Sequence, residues 1–257
     1  MESYRLEGQT FVIDDYDRKP AFSSFLPGLA GVKGIPLWTF YTNRGQGMNS
    51  FGIDNKGNAI MEFNSANTAF ENTQVKGFRT FLKIDGEYYE PFFTYEKEAK
   101  RQMRMNKNSF KIIETNEKYG IEVTVNYYVL PNESIGALVR QVSVKNIGDS
   151  AKEVQVIDGL PKIITYGIAN GEFKEMSNLF KSWADIRNLE NKVPYYTLRA
   201  STKDSAEVSD VEGGYYYLTV RDGKLQDVIY DVDTVFGYDL SLMTPVNFID
   251  GSIEGVL

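Results

Sequence analysis

Carboxylates, arginines and aromatic rings carry most of the chemistry open to this sequence, because its 257 residues include no histidine and no cysteine. Without histidine there is no Ser-His-Asp triad, no HExxH zinc site and no histidine general base. Without cysteine there is no disulfide, thiolate nucleophile, iron–sulfur cluster or cysteine zinc site. Paired carboxylates remain, and glycoside hydrolysis needs two of them roughly 5–10 Å apart. Among 35 Asp and Glu residues, neighbours such as Asp14/Asp15 or Asp185/Glu190 read as solvated faces.

Asp158 is different. It alternates with Val154, Val156 and Leu160, which turns it toward an apolar face, where a carboxylate needs a partner. Arg140 alternates in the same way with Leu138, Val142 and Val144. An Arg140–Asp158 pair is expected, and its reading is structural. Asn43-Arg44-Gly45-Gln46-Gly47 resembles a phosphate loop on the surface only. It lacks GxxxxGK[ST], and no helix pattern follows it. It reads as a hairpin turn whose Arg44 could meet an anion or a sugar ring. Trp38, Tyr41, Tyr195, Tyr196 and Tyr215 to Tyr217 suit either a sandwich core or a platform for pyranose faces. Alternation puts two rings of Tyr215-Tyr216-Tyr217 on one face, and exposure of that face would call for a partner.

The elements that must position these residues are mostly strands. Ile121, Val123, Val125, Tyr127 and Val129 share one face and Glu122, Thr124 and Asn126 the other, the period of a half-buried strand. Asp85-Gly86 and Asp222-Gly223 each join two β-rich runs, a strong hairpin signal. Phe173, Met176, Phe180 and Trp183 are spaced three, four and three apart, so one helix is expected near 172–189. The expectation is all-β: one large antiparallel β-sandwich domain over residues 1–257. Phe22 to Gly34 is apolar and Gly-rich without a clean period, and reads as a buried loop or a functional flap.

The formal net charge of −7 lacks the basic footprint of a nucleic-acid binder. No apolar run approaches the roughly 18 residues of a membrane span. The opening MESYRLEGQTFVIDD is acidic where a signal peptide would be basic and then apolar, so a cytoplasmic location is expected.

The run from Val123 to Asp149 ends a strand in an R-x-V-x-V-x-N-x-G pattern, Arg140 to Gly148, and leads into Glu153 to Leu160. It resembles the N-terminal β-sandwich of the cellobiose-phosphorylase-like enzymes of glycoside hydrolase family 94. FSSFLPGLAGVKGIPLWTFYTNRGQG (22–47), NLENKVPYYTLRASTKDSAEV (188–208) and GYYYLTVRDG (214–223) are most similar to the 1,2-β-oligoglucan phosphorylase branch. The resemblance implies a galactose-mutarotase-like supersandwich followed by an (α/α)₆ barrel holding the catalytic Asp and the phosphate site. The sequence given ends at Leu257, so no catalytic residue carries over, and it is expected to be the N-terminal portion of a longer enzyme.

Whole enzymes of that kind phosphorolyse β-linked gluco-oligosaccharides to α-glucose 1-phosphate, with inorganic phosphate as co-substrate and no cofactor or metal. The implied partners are the oligosaccharide, the chain's own downstream barrel and a second copy in a homodimer, with neither nucleic acid nor membrane. The loop Phe22–Gly47 is expected nearest substrate, through Trp38, Tyr41, Arg44 and Gln46. A free-standing carbohydrate-binding module without catalysis is the alternative. An aldose epimerase of the same fold would need a histidine, and a purely structural assembly domain is compatible with the first reading.

Overall fold

A computed structural model describes residues 3–93, 98–202 and 206–255. The chain is all-β in character, built from antiparallel sheets with a few short helices. It divides into two compact units. The first comprises Met1–Asp54 and Phe63–Pro161, the second Asn55–Glu62 and Lys162–Leu257.

The strands in chain order are β1 (Tyr4–Glu7), β2 (Thr10–Asp14), β3 (Ser23–Leu26), β4 (Leu37–Thr42), β5 (Met48–Ile53) and β6 (Ala59–Met61). Helix α1 (Ala66–Val75) follows, then β7 (Arg79–Ile84), β8 (Glu87–Tyr89), β9 (Lys100–Met105), β10 (Ser109–Asn116), β11 (Ile121–Val129), β12 (Leu138–Asn146) and β13 (Val154–Gly159). The remaining elements are α2 (Asn170–Lys181), β14 (Ala184–Arg187), β15 (Tyr195–Leu198), β16 (Tyr215–Tyr216), β17 (Val220–Arg221), β18 (Lys224–Leu225), α3 (Val232–Phe236) and α4 (Val246–Asp250).

The first unit is a sandwich. Its larger sheet runs β1-β2-β9-β10-β11-β12, antiparallel throughout. The period-2 pattern is realised in β10 and β11, where every second residue is buried and its neighbours are half-exposed. Register places Phe110 opposite Tyr127 and Ile112 opposite Val125, so the apolar residues form one continuous inner face. Burying each such side chain fully contributes roughly 1.5–3 kcal/mol.

Strands β3, β4 and β5 supply an opposing layer. The contact between layers is a column of rings: Tyr41 stacks on Phe110 at 4.4 Å between centroids, and Phe110 stacks on Tyr127 at 4.7 Å. Phe78 lies 6.0 Å from Tyr127 and 6.1 Å from Phe51. A third sheet, β13-β7-β8, turns at Asp85-Gly86, both with positive φ, the conformation that makes Asp-Gly a hairpin pair.

Helix α1 has no counterpart in the sequence pattern. It buries only Ala69 and Thr73, one turn apart, with the Thr73 hydroxyl donating to Ala69 O at 2.6 Å. So thin a stripe gives no helical signal.

In the second unit, β14-β15-β16 form a small antiparallel sheet, and β17 and β18 pair across Asp222-Gly223. The Ile164 N–H donates to Ile60 O of β6 at 2.8 Å. Asp231 caps α3 by accepting from Asp233 N–H at 3.1 Å. The helix expected to reach residue 189 ends at Lys181. The Ser182 hydroxyl closes it on Leu179 O at 2.7 Å, and Ala184–Arg187 leaves to pair with Tyr195–Leu198, a long-range partner that overrides the helical spacing. Phe173 and Phe180 of the stripe are buried, whereas Met176 and Trp183 are exposed. Among the described residues, no helix is long and apolar enough to cross a membrane.

Candidate functional site

The loop between β4 and β5 is a tight turn. Gly47 N–H donates to Arg44 O at 2.9 Å and Thr42 N–H to Gly47 O at 2.8 Å. Gly45 and Gly47 have positive φ, and a Cβ at Gly47 would lie 2.7 Å from Phe110 Cε2, so only glycine lets the turn close onto the ring column. The buried Asn43 anchors the turn. Its Oδ1 accepts from Phe22 N–H at 2.8 Å, and its Nδ2 donates to Tyr16 O at 2.9 Å and Pro20 O at 3.0 Å. From beneath, the Tyr16 hydroxyl donates to Gly45 O at 2.7 Å.

This turn delivers Gln46 into the sandwich, where it is 3% exposed. Its Oε1 accepts from Arg140 Nη2. Arg140, on β12, forks onto Asp158 of β13, with Nη2 to Oδ1 at 2.7 Å and Nε to Oδ2 at 3.1 Å. The Thr80 hydroxyl of β7 donates to Asp158 Oδ1 at 2.6 Å and accepts from Arg140 Nη2 at 3.0 Å. Arg140 Nη1 donates to the Tyr127 hydroxyl, and the guanidinium lies 5.2 Å from the ring centroids of both Phe78 and Tyr127. Burial holds that phenol well above its ordinary pKa despite the arginine. The Arg140 side chain is 7% exposed and that of Asp158 25%.

The expected Arg140–Asp158 pair is therefore present, with Gln46 joined to it. Both Asp158 oxygens are engaged by the arginine, so this carboxylate fastens β13 to β12. Gln46 Nε2 is buried and has no hydrogen-bond partner among the described residues, as is Asn49 Nδ2.

The other residues expected near substrate divide. Tyr41 is buried against Phe110, and burial raises its pKa. Trp38 leaves β4 on the opposite face, edge-on to Phe63 at 5.7 Å. The two rings therefore do not share a platform. Arg44 is half-buried, donating to Asn43 O at 2.8 Å and Lys19 O at 3.2 Å.

Matched against models of protein families and against curated proteins, the chain fits none of them.

A second buried network was missed. Arg101 meets Glu114 at 2.6 Å and Asp17 at 2.6 Å, with every partner side chain nearly fully buried. Glu114 also accepts from Phe92 N–H at 2.6 Å and from the Tyr89 hydroxyl. Nearby, Arg79 is bidentate to Glu90 at 2.7 and 2.8 Å. The signal was the one that exposed Asp158: Glu114 follows Phe110 and Ile112 on the inner face of β10. Burial pushes the Glu90 carboxyl above its ordinary value, against the pull of Arg79. These carboxylates are held by arginine and neighbouring donors, and the arrangement is that of a pinned loop and not of an acid–base pair. Among the described residues, no group of three or more acidic side chains is placed to hold a metal ion.

Proposed function

We propose that this chain is the N-terminal β-sandwich of an inverting glycoside phosphorylase that converts β-linked gluco-oligosaccharides to α-glucose 1-phosphate. In this reading it carries no catalytic residue. It supports the downstream catalytic barrel and a dimer, and inorganic phosphate is the co-substrate of the whole enzyme.

The observation that carries the reading is the Gln46–Arg140 bond. It joins the two segments that bear the resemblance, Phe22–Gly47 and the R-x-V-x-V-x-N-x-G strand, across 94 positions of sequence. A domain whose most distinctive residues fasten its own layers is suited to scaffolding. Arg44, at the β4–β5 turn of the loop, keeps part of its surface exposed, and it is the residue through which that turn would meet a sugar channel.

The test uses the full-length protein that contains this chain, incubated with sophorotetraose or cellotetraose with and without inorganic phosphate. Phosphate-dependent release of α-glucose 1-phosphate is expected. No such product from either sugar would overturn the proposal. The second reading is a carbohydrate-binding module without catalysis, favoured by the exposed ring of Tyr216.

A further inference from the structure

We propose that one face of the β14-β15-β16 sheet is a pyranose-binding platform formed by Tyr195, Tyr216, Arg187 and Asp185. Pairing places Arg187 opposite Tyr195 and Tyr195 opposite Tyr216, so the three side chains form a row across the strands on a single face. Asp185 is two residues before Arg187 and shares that face. The rings of Tyr195 and Tyr216 lie 5.0 Å apart between centroids, and Tyr216 is 66% exposed.

The polar groups beside the rings are only partly engaged. Arg187 uses Nε alone, on Asp185 Oδ2 at 2.7 Å. Among the described residues, Arg187 Nη1 and Nη2, Asp185 Oδ1 and both tyrosine hydroxyls have no hydrogen-bond partner. An aromatic surface rimmed by both donors and acceptors matches a sugar ring, which has an apolar C–H face and a rim of hydroxyls. The arginine is paired with Asp185 and also feels the charge of Asp210, so the site offers no net positive charge to an anion or a nucleic acid.

The platform is also preorganised. A Cβ at Gly214 would run into the Tyr195 ring, and a Cβ at Gly213, with φ of 108°, would lie 2.7 Å from Tyr166 Cε1. The Gly213-Gly214 pair thus lets one ring lie against the backbone on each side. A ring already fixed by its backing loses little freedom on binding.

The choice of a gluco-oligosaccharide as ligand rests on the proposed function, whereas the site itself rests on this geometry. The test is calorimetric titration of the 257-residue chain with sophorotetraose and with cellotetraose. At least one is expected to bind. Tyr216→Ala is expected to weaken binding about three- to tenfold, the range of one ring contact. Arg187→Ala is expected to weaken it severalfold, and Tyr238→Ala, an 84% exposed ring outside this sheet, to leave it unchanged. These residues are exposed, and circular dichroism checks that each variant is folded. No binding of either sugar, or wild-type binding by both Tyr216→Ala and Arg187→Ala, would overturn the proposal. Phosphorolysis by the full-length protein without binding at this face would sink the platform and leave the proposed function standing. Binding lost in the two variants, with no phosphorolysis, would do the reverse.

Discussion

Replacing Asp158 with alanine leaves Arg140 with its guanidinium in the sandwich interior and no carboxylate beside it. Breaking a fully buried ion pair costs about 3–5 kcal/mol. Asp158 keeps 25% of its side-chain surface in solvent, and water reaching the site softens the loss. The expected cost is therefore about 2–3 kcal/mol, or about 30- to 160-fold in the folding equilibrium. The chain has two tryptophans, Trp38 in the first unit and Trp183 in the second. In a Trp183→Phe background, Trp38 fluorescence in a urea titration reports the first unit alone. Arg140→Met and the double variant complete a cycle. The double variant is expected to cost at least about 1 kcal/mol less than the sum of the single ones, because removing both charges leaves neither stranded. If the costs add to within about 0.5 kcal/mol, the scatter of independent sites, the pair is not an energetic unit and the fastening argument fails.

Gly47→Ala meets both a positive φ and Phe110, a ring stacked on either side. It is expected to lose about 1–3 kcal/mol by the same fluorescence titration, and a loss under about 0.5 kcal/mol would show that the turn can open. Glu7 is held below its ordinary carboxyl pKa of 4.5 by hydrogen bonds from Arg104 and then Arg5. Its folded value is depressed, so its contribution is present above 4.5 and lost as the pH falls through that lower value. The Tm gap between wild type and Glu7→Gln should accordingly be widest at neutral pH and narrow as the pH falls below 4.5, and a gap that does not change with pH would refute the assignment.

Where local periodicity decides the structure, the sequence was readable. Strand β11 and the Asp-Gly turns need only neighbouring residues to specify them. The Arg140–Asp158 pair was readable for a related reason, since a charge in step with valines must find an opposite charge. Gln46 was harder. It sits on a segment resembling a substrate loop, yet the Gly45/Gly47 turn sends it inward, whereas Tyr41 faces inward by plain alternation with Leu37 and Thr39. The turn closes onto Phe110 of β10, a distant contact that no local pattern encodes. Likewise the end of α2 is set by a strand partner beyond it in the chain.

The division of the chain makes the second unit discontinuous. The polypeptide passes from the first unit to the second at Asp54, returns at Phe63, and passes over again after Pro161. Three covalent crossings mean that neither unit can be excised with a single cut. A fragment ending at Pro161 would retain β6 but lose Ile164, whose N–H pairs with Ile60 O. A clean first unit would instead need Asp54 joined to Phe63 by a short designed linker, with the eight intervening residues, Asn55–Glu62, given up to the other half.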